Sequence, residues 1–455
     1  MTGRPMRVLC TVTGSRSHTH ALRPLARTLA DAGHDVLIAT TAGLASALGA
    51  GPRVVVCLPD LQAFIRDSGR SPGPPGRAGE DSPGPPGRAG EDSPGPPGRA
   101  GEDPWPPFVL DMLAGLAGAA WPALLSVAEG WRPDVILRDG MDLASILVAE
   151  RLGVPHLSMP SGTANVLPPA SVLPALNRLR ARAGLPTCDD PRSVAPFGRI
   201  DHVPERYSFA RHRIPALRYR QPLDRDPAAV LPPWVTGAAP GRPLVYAAIG
   251  STAREVADAT RPSLAREVAD ATRPSLARGI TDANEPSPAR EVAGAREPSS
   301  GFPHPERALR ALVEGLSLLP CTAVVATGGV PLGDMRAAPH VHLAEWVPQP
   351  LLLECADLFV THGGYNSVRE AMRTATPMVV LPLFADQPHN ARRVAELRLG
   401  RQAGGQSGEA VAAACRAVLS DRSVQGVARA ARLAMLTLPG VEQAVSDLER
   451  LVREG

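Results

Sequence analysis

Lysine is missing from this 455-residue chain: all 48 basic side chains are arginine. Together with abundant Ala, Gly and Pro, that bias points to a GC-rich genome rather than to a special function. Aromatic residues make up only 4%, so the cores must rest on Leu, Val, Ile and Ala. The net charge of +3 is small for the length, and no basic stripe with interleaved aromatics appears, which argues against nucleic-acid binding. The cysteines form no C-x-x-C pair and no zinc-ligand spacing. Cys10, Cys57 and Cys321 sit in or beside apolar strand-like runs and read as buried thiols. Met6–Cys10 is too short an apolar run for a signal peptide or a membrane span. The chain is therefore expected to be soluble and cytoplasmic. The loop after the first strand, Gly14–His20, holds one glycine and no G-x-G-x-x-G, so a nicotinamide dinucleotide is not expected there.

Two repeat blocks stand out. Residues 71–103 hold three identical copies of S-P-G-P-P-G-R-A-G-E-D. Gly recurs every third residue within a copy, but the trailing Glu-Asp breaks that register, which excludes a continuous collagen helix. Residues 253–300 hold four copies of a twelve-residue unit, the first two reading A-R-E-V-A-D-A-T-R-P-S-L. Each unit ends in a proline after about two helical turns, too short to be stable alone. Solenoid repeats are usually about 20 residues or longer. Both blocks read as insertions, a flexible Pro-rich loop and a chain of marginal helices, not as domains.

Apart from them the pattern is βα throughout. Strands are expected at Val8–Thr13, Val36–Ala39, Val54–Leu58, Val135–Arg138 and His156–Met159, with a first helix over about Ala21–Ala32. A Pro-rich stretch, 223–243, reads as a linker. A second βα series follows, with strands near Leu244–Ile249, Ala323–Ala326, Val341–Leu343, Leu358–Val360 and Met378–Leu381. The expected architecture is α/β: two Rossmann-like domains, 1–222 and 244–436, whose parallel sheets face a central cleft. Residues 437–455 form a closing helix that packs back on the first domain. Ligands of such sheets bind beyond the C-terminal strand ends.

The most informative segment is Thr361-His362-Gly363-Gly364-Tyr365-Asn366-Ser367, between a strand and a helix pattern. Glycines there let backbone N–H groups approach a phosphate, and a helix start adds free donors and partial positive charge. His362, Asn366 and Ser367 add side-chain donors, and Glu370, one turn after Asn366, offers a carboxylate to a sugar hydroxyl. Trp346 could stack on a nucleobase, with Val347 beside it and Gln349 on the base edge or ribose; core burial is the competing role for Trp346. Asp386-Gln387 follows another strand and suits vicinal sugar hydroxyls, and Gly250-Ser251 ends a strand where it could touch the diphosphate. In the first domain His18 stands at a strand end as a proton acceptor, with His20 a rival that local sequence does not separate. Asp139 could hold the second ring nitrogen of that base or cap a helix; Asp142 is the alternative, better placed to stabilise a helix dipole. Asp224-Arg225-Asp226 has the D-x-D form of metal-dependent sugar transfer but follows no strand, and no metal site is expected.

With W-V-P-Q, T-H-G-G-Y-N-S-V-R-E and P-L-F-A-D-Q-P-H-N-A in order between Glu345 and Gly400, the chain resembles a family 1 glycosyltransferase of the GT-B fold. Specifically, it resembles the actinobacterial type that decorates antibiotics and other natural products. The resemblance spans nearly all the chain outside the two repeat blocks. It implies His18 as base and Asp139 as its acidic partner. It further implies Trp346 and Gln349 on the nucleoside, and His362, Gly363, Gly364, Asn366 and Ser367 on the diphosphate, with Glu370 on the ribose and Asp386 and Gln387 on the donor sugar. The implied reaction is inverting, metal-independent transfer of a hexose or deoxyhexose from a dTDP- or UDP-sugar to a small apolar aglycone. A homodimer or an auxiliary activator protein is a possible partner, and no cofactor is implied beyond the donor. The alternative is a nucleotide-sugar-binding homologue whose insertions block turnover. Two departures stand out: Ala375 and Arg398 occupy positions where relatives commonly carry glycine, and Ala375 is expected to turn with a negative φ.

Overall fold

A computed structural model of the chain describes residues 4–14, 16–49, 51–60, 63–64, 107–140, 142–159, 161–222, 228–236, 241–251, 254 and 305–454. The 71–103 repeat block, the D-x-D triplet and all of the 253–300 block but Arg254 lie outside the described residues.

Two parallel sheets organise the molecule. The first has the order β3-β2-β1-β4-β5-β6-β7, with β1 Arg7–Val12, β2 Asp35–Thr40, β3 Arg53–Val56, β4 Val135–Arg138, β5 His156–Ser158, β6 Arg199–Asp201 and β7 Ala216–Arg218. The second has the order β10-β9-β8-β11-β12-β13, with β8 Leu244–Ala248, β9 Thr322–Ala326, β10 Val341–Ala344, β11 Leu358–Thr361, β12 Met378–Val380 and β13 Gly400–Gln402. Side chains alternate between faces along a strand, and both faces are covered, as a parallel sheet requires. In the first sheet Leu9, Leu37 and Ile136 enter one core while Val8, Cys10, Ile38 and Leu137 enter the other. The second sheet repeats this, with Val245, Val325 and Val360 on one side and Tyr246, Val324 and Phe359 on the other.

Helices cover these faces. Those used below are α1 Arg16–Asp31, α2 Tyr365–Thr374, α3 Gln387–Glu396 and α4 Gln443–Glu454. α1 begins five residues before the expected Ala21, so His18 and His20 stand in its first turns rather than in a loop. β3 ends at Val56, which leaves Cys57 half-buried rather than inside a strand, while Cys10 and Cys321 are buried. The Pro-rich stretch contributes a short turn of helix at Pro233–Thr236, whose Trp234 stacks on His342 with ring centroids 4.4 Å apart.

Ala375 ends α2 with φ 61°, and Arg398 has φ 55°, so the expected negative φ at Ala375 is corrected. Both side chains keep the left-handed turn that glycine adopts freely, because the Ala375 and Thr376 N–H groups must reach back to Met372 and Ala371 to close the helix end.

α4 crosses back to the first domain. Its Ala444 and Leu448 are buried in the core formed by β1, β2 and α1, and Tyr219 Oη donates to Asp447 at 2.8 Å. Each sheet reverses strand order at one place, between β1 and β4 in the first and between β8 and β11 in the second. The loops leaving those strands are the ones that carry the candidate site.

Candidate functional site

β1 and β4 run side by side, so the residues after them meet. His18 Nδ1 lies 2.7 Å from Asp139 Oδ2. The same oxygen accepts from the backbone N–H of Thr13 and of Gly14, each at 3.2 Å. A carboxylate held by several donors stays where it is, and it orients the ring so that Nε2 is left for other work. Burial disfavours the charged His18 ring, but the charge and hydrogen bond of Asp139, with a smaller contribution from Asp386, outweigh it and raise the pKa above the ordinary histidine value; Arg369 opposes them. His20 is exposed and lines a different recess, so the geometry separates the two histidines that sequence left level. Asp142 accepts from the N–H groups of Ala144 and Ser145 at 3.0 and 3.2 Å and caps the following helix; it does not hold the histidine.

The second domain faces this pair. Gly363, at φ 87°, makes the turn out of β11, and Gly364 leads into α2. A Cβ on Gly364 would lie 2.5 Å from the His362 ring, and one on Gly250 2.8 Å, so both glycines are needed for the ring to fit. Burial pushes the His362 pKa down to about 4, which keeps the ring neutral. Asn366 Nδ2 donates across the cleft to the Ser17 carbonyl at 2.7 Å. Asp386 begins α3, is buried, and accepts from Asn390 Nδ2 at 2.6 Å. Its carboxyl is pushed up to about 6 by burial, against the pull of Asn390, nearby backbone N–H groups and the His18 charge. Gly162 of the first domain abuts Asp386 so closely that a Cβ there would lie 2.0 Å from Oδ2.

Glu370, Gln349 and Ser367 form a second group. Gln349 Nε2 donates to Glu370 Oε2 at 2.6 Å, and Gln349 Oε1 accepts from Tyr246 Oη at 3.0 Å. Glu370 and Asn366 line a recess between the domains, with His20 and Arg373 on its walls. Gln387 is turned inward: its Oε1 accepts from the N–H groups of Leu383 and Phe384, so its carbonyl end holds the loop and only the amino end is left for a ligand. Trp346 is 55% exposed, which removes core burial as its role. Val347 packs at the edge of the second core, and Ser251 is half-buried at the β8 end.

Arg369 is the residue that sequence reasoning passed over. It is fully buried on α2, bonds Asn366 Oδ1, and lies over the Tyr365 ring, 4.9 Å from its centroid. Its Nε and Nη1 have no hydrogen-bond partner among the described residues. The available signal was its spacing, one turn after Asn366 on the same helix face. Tyr365 Oη donates to the buried Asp201 of the first domain at 2.7 Å, a further tie across the cleft. Among the described residues no three His, Cys, Asp or Glu side chains converge as a metal-ligand set would.

Residues 299–436 match the UDP-glucoronosyl and UDP-glucosyl transferase family. The chain is 36% identical over 123 residues to human UDP-glucuronosyltransferase 3A2, a match covering 26% of this chain and 23% of that protein. The match thus spans about a quarter of the length of that curated relative. Over its whole length the chain is similar to the glycosyltransferase SnogD of Streptomyces nogalater, with TM-score 0.66 and 21% identity over 99% of this chain and 100% of that one. It is also similar to the glycosyltransferase SsfS6 of Streptomyces sp. SF2575, solved with thymidine diphosphate, with TM-score 0.62 and 20% identity over 98% and 99% of the two chains. These likenesses show the fold, the two-domain GT-B arrangement of parallel sheets.

Proposed function

We propose that this chain, which carries a UDP-glucoronosyl and UDP-glucosyl transferase family domain within a GT-B fold, is an inverting glycosyltransferase that draws its sugar from a nucleotide diphosphate donor. The observation that carries the reading is the placement of the His18–Asp139 pair, 2.7 Å apart, directly across from Asp386 and Asn366 at the start of α2.

His18 Nε2 takes the proton from an acceptor hydroxyl as that oxygen attacks the anomeric carbon, and Asp139 steadies the imidazolium that results. The C1–O bond to the diphosphate breaks on the opposite side, which inverts the centre. The departing phosphates lie against the N–H groups and partial positive charge of the α2 start, with Ser367 and the neutral His362 alongside, so no divalent ion is needed for their charge. Asp386 and the Gln387 amide bind sugar hydroxyls. Glu370, held by Gln349, binds the ribose, with Trp346 and Val347 near the base and Ser251 at the phosphates. The donor is a dTDP- or UDP-linked hexose or deoxyhexose; the family description and the thymidine diphosphate bound by SsfS6 support both nucleotides. The acceptor is a small apolar natural product, and the setting is cytoplasmic.

In the His18→Ala variant, turnover is expected to fall about a hundredfold or more while calorimetric binding of dTDP or UDP stays unchanged. Near-normal turnover would refute the base assignment, and a product with the donor's own anomeric configuration by NMR would refute inversion.

A further inference from the structure

Arg369 is a charged side chain at 1% exposure, and no carboxylate pairs with it among the described residues. Burial lowers its pKa, against the pull of Tyr365, Asp201 and Glu370, but a guanidinium does not give up its proton at neutral pH. A buried charge is costly, so what it touches matters.

Its hydrogen bond among the described residues runs from Nη2 to Asn366 Oδ1. A guanidinium only donates, so it meets the oxygen end of the amide. The Nδ2 end is thereby turned to the Ser17 carbonyl, which only accepts, at 2.7 Å. Both ends of the amide are specified, and a flip would lose both bonds. Ser17 precedes His18 in the first turn of α1, so this bond joins the start of α2 to the backbone beside the histidine.

The guanidinium also lies over the Tyr365 ring, its carbon 4.9 Å from the centroid, an attraction that favours one placement of the ring. That ring meets Phe209 of the first domain with centroids 5.7 Å apart, and its Oη donates to Asp201 at 2.7 Å. Two consecutive residues of α2, Tyr365 and Asn366, thus reach into the first domain. Arg369, one turn further along the helix, braces both.

We propose that Arg369 is a positioning residue: by bracing Asn366 and Tyr365 it keeps the His18 turn in register with the start of α2, where the diphosphate would lie. Its effect on turnover rests on the transferase reading; the brace itself does not. Arg369 acts through its two neighbours and takes no part in the proton transfer.

Amide hydrogen exchange of the ligand-free full chain, read by mass spectrometry, tests the brace without any substrate. Arg369→Met keeps a long side chain but loses the donor and the charge, whereas Arg369→Lys keeps a donor and the charge. Exchange in peptides covering residues 16–23 and 199–209 is expected to rise roughly tenfold in Arg369→Met and to stay within about twofold of wild type in Arg369→Lys. Peptides from α4 should not change, which separates a lost brace from general unfolding. Asn366→Leu cuts one leg only, so exchange should rise at 16–23 and not at 199–209; it replaces Arg369→Met where that variant does not fold. In sugar transfer Arg369→Met should lower kcat about tenfold while the calorimetric Kd for dTDP or UDP stays within about threefold, and Arg369→Lys should recover most of the loss. Unchanged exchange at 16–23 in Arg369→Met and Asn366→Leu overturns the inference. So does Arg369→Lys no better than Arg369→Met, or an unchanged kcat beside raised exchange. Wild-type chain that transfers no sugar refutes the transferase reading and leaves the exchange comparison standing, and failure of the exchange comparison leaves the His18 assignment intact.

Discussion

Asp386 faces His18 and the start of α2 while remaining buried, and its protonation follows from that position. Its pKa rises from 3.8 to about 6, chiefly through burial. The native state therefore holds a proton that the unfolded chain has already released, and stability falls as pH rises between about 4 and 6. In ligand-free protein Asp386→Asn should raise stability by about 1–3 kcal/mol at pH 8 and have no effect at pH 4, measured by urea unfolding, while donor affinity drops. The His18 pKa moves the same way for the opposite reason, since there the charged form is the one favoured, by Asp139. Its raised pKa keeps the ring protonated to higher pH, so the rising limb of kcat/KM is expected above the ordinary histidine value. Asp139→Asn removes the main source of that rise. It should move the limb to lower pH and cut kcat/KM by about a thousandfold or more. Both residues could be picked out in sequence because each lies in the segment that follows a strand, His18 in the first turn of α1 after β1 and Asp386 at the start of α3 after β12, and the C-terminal ends of parallel sheets collect ligands. Arg369 was not, because an arginine on an amphipathic helix looks solvated until the opposing domain covers it. Gln387 was half-legible: its position marks the site, but the turn of residues 383–387 that occupies its carbonyl is a tertiary detail.

At the scale of elements, alternation and glycine punctuation located the strands, because two-faced burial leaves a plain apolar signature. Boundaries were harder. Pro24 lies inside α1, and a sequence reading that starts the helix at Ala21 puts that proline in the first turn, where it is tolerated; the structure extends the helix back to Arg16. The ends of α2 and α3 show the reverse problem. Left-handed turns at Ala375 and Arg398 look forbidden by side-chain identity, yet the surrounding hydrogen bonds impose them. A non-glycine residue there stores about 1 kcal/mol or more of strain. Ala375→Gly should therefore stabilise the protein by about 0.5–1 kcal/mol after the entropy that glycine adds to the unfolded chain, seen as a higher Tm. A lower Tm in that variant would mean that the Ala375 methyl contributes packing that outweighs the strain.

For the molecule as a whole, the ties across the cleft depend on both domains at once, so no single stretch announces them. Tyr365 to Asp201, Asn366 to Ser17, and His389 Nε2 to the Phe209 carbonyl at 2.8 Å all join residues far apart in sequence. α4 adds an apolar tie, with Leu448 fully buried among first-domain side chains. Leu448→Ala should cost about 2–4 kcal/mol in chemical unfolding. A loss well under 1 kcal/mol would show that this helix is only loosely seated. The duplicated segments are plain in the sequence as repeats, and the expectation that they are insertions falls outside the described residues.

Because α4 returns to the first domain, the backbone passes between the two halves twice, once after β7 and once before α4. The passes lie side by side: the Arg220 N–H donates to the Pro439 carbonyl at 2.7 Å. Such a pair of adjacent straps acts as a single door hinge, permitting swing about one line and resisting twist or slide. Severing the chain between 222 and 244 would cut one strap and leave the halves attached by the other, free to wobble but not to part.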